Sequence, residues 1–334
     1  MTASALETSA HHPQRRRVSV ERIAQQSAEH GVATARVDLG GPLDRTKLFT
    51  CPTLAPLAHS EIFSHLSEPQ QRRYNQLVAL MQNEIICFFE QEFAVRVLPA
   101  VLRDSRTGSS IPPELSRTLE QFIEDERQHT QLFRQLNRLA EPQWYERGDY
   151  YILRLPRAFR AVLRGLTNRP AMFPMVFWVM LLMEERSLMI SRRYAAMETD
   201  RLEPHFAAAY RAHLEDEVRH VQLDWHLLER FYHSRPAWVR RMNARLLEIF
   251  LVGLFLKPRR ANVRLIELLI EDFPELEPKQ DELVTAVRRL HEKAGYREMM
   301  YSPQATPIAY ALFAQLPECA RLRRRLYGTA EEAT

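Results

Sequence analysis

Apolar residues recur at three- and four-residue intervals over most of the chain, and prolines and polar clusters cut that pattern into segments. The first long segment, "LSEPQQRRYNQLVALMQNEIICFFEQEFAVRVLPAVL", predicts a helix over about 67–102. Ser67 and Gln70 form a capping box at its start, and Pro69 lies in the first turn, where a missing N–H costs little. Pro99 should end or kink this helix. A loop over 104–113 follows, and Pro112-Pro113 opens a second helix running to about 137. After a break at "AEPQWYERGDYY" come a short helix, about 154–167, and two long ones over about 171–197 and 204–232. Later helices are expected over 236–256, 259–272, 277–294 and 306–327, separated by Pro258, Pro274 and Pro303. The order is long helix, loop, long helix, twice over, then an all-helical C-terminal portion. Residues 1–57 read as a partly ordered arm and 58–334 as a single domain.

The strongest apolar run, "AMFPMVFWVMLLM" (171–183), is 13 residues long and stops at Glu184-Glu185. A membrane span needs roughly 20 residues, so this run reads as a helix buried inside a bundle, and no membrane association is expected. Composition points the same way. Only 9 of 334 residues are Gly, and good helix formers are plentiful, as in an all-α protein. The net charge of +4 is spread over many arginines balanced by carboxylates. The basic clusters at Arg15-Arg16-Arg17 and around Arg321 to Arg325 read as a solvated tail and a solvated helix end. No nucleic-acid partner is expected, because no aromatic-basic module accompanies them. Cys51, Cys87 and Cys319 are odd in number and far apart, which fits a reducing, cytoplasmic setting and no disulfide framework. The first twenty residues hold no apolar core of signal-peptide type.

The chemistry lies in two helices. His213, Glu217 and His220, in "HLEDEVRHVQL", occupy positions i, i+4 and i+7, so all three project from one helix face. Phe206 and Leu227 continue that face as apolar residues, and unpaired ionisable groups between them would be costly to bury. "LEQFIEDERQHTQLF" repeats the arrangement with Leu119, Phe122, Glu126, His129 and Phe133 on one stripe. "DERQH" (125–129) and "DEVRH" (216–220) both read Asp-Glu-x-x-His. One Glu-x-x-His on an amphipathic helix is ordinarily a surface pair; two such motifs on separate helices are far more specific. A bundle-core di-iron site takes one further carboxylate from each of two other helices. Glu90 lies 36 residues before Glu126, and Glu184 lies 33 before Glu217, both in otherwise apolar helices. Glu84 and Glu92 compete with Glu90, and Glu185 competes with Glu184.

The resulting ligand set is Glu90, Glu126, His129, Glu184 (or Glu185), His213, Glu217 and His220. Oxygen ligands with a few imidazoles and no thiolate suit iron or manganese and argue against structural zinc. Asp125 and Asp216 are expected to accept the free N–H of a ligating histidine on the opposite helix. Phe88, Phe89, Phe122, Phe177, Trp178 and Met180 are candidates for an apolar lining.

These motifs resemble those of the p-aminobenzoate N-oxygenase family of ferritin-like non-haem di-iron enzymes. "NEIICFFEQ" resembles its first ligand helix, "DERQHT" its Asp-Glu-x-x-His-Thr motif, and "HLEDEVRH" its His-x3-Glu-x2-His motif, in which His213 is the distinctive extra histidine. The resemblance covers about residues 60–235. The third ligand helix departs from the pattern. Met183 stands where the family has a small residue, a second Glu follows Glu184, and the spacing to His213 is one or two residues longer. Membership would imply a ferritin-like helical bundle elaborated by C-terminal helices and two bound iron ions. It would also imply O2 as co-substrate, an external electron donor, an arylamine-type substrate and a homodimer active in natural-product biosynthesis. The expected product is a hydroxylamine, nitroso or nitro compound. The competing expectations are a di-iron C-hydroxylase or desaturase, a ferritin-like iron-storage protein, and a metal-free helical binding module.

Overall fold

In the computed structural model, which describes residues 17–107, 111–198, 200–253 and 260–328, the chain is helical almost throughout. Among the described residues there is no strand, only a bridge pairing Leu48 with Leu202. The helices are α1 (Val20–His30), α2 (Glu68–Phe89), α3 (Val95–Thr107), α4 (Pro113–Ala140), α5 (Arg157–Thr167), α6 (Met175–Ala196), α7 (Pro204–Leu228), α8 (Ala237–Leu251), α9 (Arg260–Asp272), α10 (Gln280–Arg288), α11 (Ala294–Met300), α12 (Pro307–Gln315) and α13 (Ala320–Tyr327). α2 packs on α4 and α6 on α7, and the two pairs close on each other through α4–α7 and α2–α6 contacts, which makes a four-helix frame. α1 lies across α4 and α7, α8 and α12 back α6, and α9 backs α2.

Local sequence explains the frame. At the start of α2 the Ser67 N–H donates to Gln70 Oε1 at 2.9 Å, completing the capping box. α7 starts on Pro204, and the Glu203 carboxylate accepts from the N–H groups of His205 (2.8 Å) and Phe206 (3.0 Å), satisfying two donors that a helix start leaves bare. α6 is buried all round over Met175–Leu182, as a helix apolar on every face must be. Each large apolar side chain fully buried there, Trp178 among them, contributes about 1.5–3 kcal/mol. A buried polar network sets the register of three frame helices. Tyr210 donates to Asn83 Oδ1 (2.8 Å), Asn83 donates to Asn137 Oδ1 (2.9 Å), and Asn137 donates to the Leu80 carbonyl (3.2 Å).

Several expected boundaries move. Pro99 does not end the first helix, because α3 runs through it to Thr107. The interruption is a π-helical turn over Glu90–Ala94, one extra residue wound into the helix, of the kind that often marks a functional site. A second π-turn over Glu229–His233 follows α7. The segment expected as one helix over 306–327 is broken because Pro317 opens a 3-10 turn between α12 and α13. The 277–294 segment divides into α10 flanked by 3-10 turns, and α11 fills a stretch read as a connection.

Candidate metal centre

Four helical segments aim ionisable side chains into one interior space. The π-turn after α2 contributes Glu90, α4 contributes Glu126 and His129, α6 contributes Glu184, and α7 contributes His213, Glu217 and His220; all seven are buried. Glu90, His129, His213 and Glu217 form one group whose potential ligand atoms all lie within 4.8 Å of each other, and Glu126, His129, Glu217 and His220 form a second within the same limit. The groups share His129 and Glu217. Within them, His213 Nε2 lies 2.6 Å from Glu217 Oε1 and 3.5 Å from Glu90 Oε1, His129 Nδ1 lies 3.4 Å from Glu90 Oε1, and His220 Nδ1 lies 3.1 Å from Glu126 Oε1. Glu184 stands at the edge of the second group, 4.0 Å from His220 Nδ1.

The same atoms are poorly satisfied. Glu126 Oε1 and Oε2, His129 Nδ1, His213 Nε2, Glu217 Oε2 and His220 Nδ1 are buried and have no hydrogen-bond partner, although several lie within ion-pair distance of one another. Such contacts without hydrogen-bond geometry mean that the lone pairs converge on a common space instead of on each other. Orphaned buried groups are costly, and a cation among them supplies the missing partner. Two divalent ions would balance the four carboxylates, so the donor set fits iron.

The outer atoms of the histidines are held. His129 Nε2 is 3.2 Å from Asp216 Oδ2, and His220 Nε2 is 3.2 Å from Asp125 Oδ2, each pair crossing between α4 and α7. With an N–H on each Nε2, both imidazoles turn Nδ1 toward the interior. His213 is held differently: its Nδ1 lies 3.4 Å from the hydroxyls of Ser187 and Ser191. Asp216 also accepts from the N–H groups of Ala33 (3.1 Å) and Thr34 (3.2 Å), which ties the arm to the back of the centre. Arg219 joins the two aspartates, 2.7 Å from Asp216 Oδ1 and 3.4 Å from Asp125 Oδ2.

Burial and mutual repulsion set the proton affinities. Burial, reinforced by neighbouring carboxylates, pushes Glu126 and Glu184 well above the usual range and lifts Glu217 to about 7. Burial acts the same way on Glu90, but the His129 and His213 rings outweigh it and hold that carboxyl at about 2. Burial lowers His220 to about 4 against the pull of Asp125, whereas at His129 Asp216 and Glu90 overcome burial and raise the ring well above its ordinary value.

The structure separates the residues between which the sequence left a choice. Glu84 accepts from the Tyr145 hydroxyl (2.8 Å) and from the N–H groups of Tyr151 (2.7 Å), Ile152 (3.0 Å) and Leu153 (2.6 Å), so it fastens the 145–153 turn away from the centre. Glu92 pairs with Arg96 at 2.8 Å. Glu185 accepts from the first free N–H groups of α12, those of Ile308 (2.6 Å) and Ala309 (2.9 Å), and faces away from the ligand atoms. Of the aromatic candidates, Phe122 stacks on His220, with ring centroids 4.0 Å apart, and Phe88 and Phe89 line an adjoining cavity. Phe177, Trp178 and Met180 do not line it. They are core, with Phe177 stacked on Phe231 and Trp178 on Phe313.

Other residues at the centre had escaped notice. Thr130 Oγ1 donates to Glu90 Oε2 at 3.0 Å. Arg219 bridges the two aspartates behind the histidines, and its i+3 spacing from Asp216 is the one signal of this in the sequence. Asp224, four residues beyond His220 on the same stripe, is fully buried with neither oxygen hydrogen-bonded, and burial and Glu184 push its pKa well up.

Beside the centre lies a cavity of about 450 Å³ whose wall includes Phe89 and Met183, the residues preceding Glu90 and Glu184, and Ser187, which touches His213. Among the described residues no helix is long and apolar enough to cross a membrane. No curated protein matches the chain. A family model does, that of the p-aminobenzoate N-oxygenase AurF, over residues 13–301. With that match over most of its length, the chain belongs to the AurF p-aminobenzoate N-oxygenase family of oxygenases, whose fold is the ferritin-like di-iron helical bundle.

Proposed function

We propose that this chain is an O2-dependent non-haem di-iron oxygenase that oxidises an arylamine nitrogen. The observation that carries the reading is the pair of four-residue groups sharing His129 and Glu217, with orphaned donor atoms converging between them. Glu90, Glu126, His129, Glu184, His213, Glu217 and His220 would together hold two ions, each imidazole serving one ion through its single inward lone pair. Two iron ions bound there would supply the redox chemistry that lets O2 react with a nitrogen lone pair, with electrons returned by an external donor.

The protein's own part is positioning, proton placement and water exclusion. Asp216 and Asp125 keep the protons of His129 and His220 on Nε2, so that each Nδ1 carries a lone pair into the centre. Phe122 and Phe133 pack against His220 and His213 and fix the ring planes. The apolar cavity gives an aromatic amine a dry approach past Phe89 and Met183.

The test is direct. The purified chain is assayed for iron, reduced, and exposed to O2 with and without a panel of arylamines that includes p-aminobenzoate, with products identified by mass spectrometry. Two irons per chain and a hydroxylamine, nitroso or nitro product are expected. Iron-free protein after metal loading, or O2 uptake with no oxidised amine, refutes the reading.

A further inference from the structure

The cavity says more about the substrate than the metal ligands do. Glu90 and Glu184 retain 5% and 7% exposure while Glu126 and His129 have none, so the centre is least covered on the α2–α6 side, where the cavity lies. The wall there is apolar, with Ile86, Phe88, Phe159, Met183 and Ile190 prominent. Its volume of about 450 Å³ is roughly three times the ~150 Å³ cavity that accepts one benzene ring. A single-ring aminobenzoate would leave most of it unfilled.

Three arginines border this space. Arg154 and Arg260 are exposed, whereas Arg186 is half-buried. On α6, Met183, Arg186, Ser187 and Ile190 are spaced by three or four residues, share one helix face, and all line the cavity. The Arg186 guanidinium donates to the Met300 carbonyl and lies 5.6 Å over the Tyr301 ring. A carbonyl dipole and a ring face steady the group but bring no negative charge. Among the described residues no carboxylate pairs with Arg186. Several other covered arginines do take carboxylates: Arg73 takes Glu141 and Asp272, Arg219 takes Asp125 and Asp216, and Arg240 takes Glu318. A cation drawn into an apolar wall calls for an anion, and a guanidinium fork matches a carboxylate through two parallel hydrogen bonds.

We infer that the cavity binds an elongated, mostly apolar arylamine of two to three ring-equivalents ending in a carboxylate, with the carboxylate on Arg186 and the amine toward Glu90 and Glu184. Arg186 is then a specificity residue that selects the acid and sets the direction in which the molecule enters. This inference rests on the arylamine reading for the identity of the reacting end, and not for the anion site.

The test uses the full-length, iron-loaded chain and three probes: 4'-amino-biphenyl-4-carboxylate, its carboxamide, and p-aminobenzoate. Binding is measured by calorimetry, so the readout does not require turnover. The biphenyl acid should bind at least about tenfold more tightly than both its amide and p-aminobenzoate, as one desolvated charge-assisted pair and one further buried ring suggest. In R186Q the acid-to-amide ratio should fall to near one, and in R186K it should partly return. Equal binding of acid and amide by the unaltered protein overturns the anchor even if R186Q fails to fold, and so does a preference that survives R186Q. p-Aminobenzoate binding as tightly as the biphenyl acid overturns the size argument. Selective binding without any oxidised product would sink the proposed oxygenation and leave the anchor standing; oxidation without acid preference would do the reverse.

Discussion

Glu184 and Glu185 are neighbours on α6, both are buried, and the structure gives them opposite tasks, so exchanging each for Gln makes a sharp test. Glu185 holds two α12 N–H groups at 2.6 and 2.9 Å, one on each carboxylate oxygen. In Glu185→Gln the amide oxygen can keep one of these donors, and the amide NH2 must face the other. One charge-assisted hydrogen bond, about 1.5–3 kcal/mol, is lost, and the favourable charge at the helix start, about 0.3–1 kcal/mol, goes with it. The total is about 2–4 kcal/mol, or a fall in Tm of about 4–8 °C at roughly 2 °C per kcal/mol for a chain of this size. Iron content should stay at two per chain. Glu184→Gln should behave in the opposite sense. It replaces a carboxyl whose ionisation burial and Glu217 already disfavour with a neutral amide, so the metal-free chain melts no lower, while the second ion, which needs the carboxylate, binds at least tenfold more weakly. Thermal melts of metal-free protein and iron titration of both variants decide the matter. If Glu185→Gln loses an ion while Glu184→Gln keeps two, the assignment is reversed and the reasoning from α12 fails.

Three further expectations concern the rest of the site. Asp216→Asn should weaken iron binding by about 10–100-fold and expose the arm near Ala33–Thr34 to protease, because one amide oxygen cannot serve all the donors that now meet at the carboxylate; unchanged affinity and unchanged proteolysis would count against it. Glu84→Gln should lower Tm and leave iron content alone; loss of an ion would make Glu84 a ligand after all. In the metal-free chain burial raises Glu217 to about 7, so below that pH an incoming ion must displace its proton; apparent Fe2+ affinity should fall as pH drops from 8 to 6, with proton release visible by titration in two buffers of different ionisation enthalpy, and pH-independent binding would refute it.

The legible parts of this protein are those carried by repetition. Two copies of Asp-Glu-x-x-His in helical context point to two helices facing a shared centre, because 3.6-residue periodicity alone puts Glu126 with His129 and Glu217 with His220 on inward faces. The choice between Glu184 and Glu185 was not legible, for a physical reason. On a helix buried all round, the hydrophobic pattern has no polar side against which to orient, and the deciding partner, the start of α12, lies over 120 residues downstream. The π-turn at Glu90 was hidden because one extra residue in a helix changes no local composition. Arg186 was one of many arginines until the fold set it on the cavity wall against the Met300 carbonyl and the Tyr301 ring.

The least expected feature is how much of the centre is controlled from outside it. Asp125 and Asp216 accept imidazole N–H groups most strongly while ionised, yet both are buried, which favours the protonated acid. Hydrogen bonds to His220 and His129 more than offset that penalty and hold both carboxyls below their ordinary range. Arg219 lies between them and offsets one of the two negative charges of the aspartate–arginine–aspartate row. The arm closes the row with the Ala33 and Thr34 N–H groups, more than 180 residues away in sequence from the Asp216 they reach. Residues 33–34 and the His129 ring are therefore held by the same Asp216 carboxylate, and His129 is the imidazole common to both groups of candidate ligands.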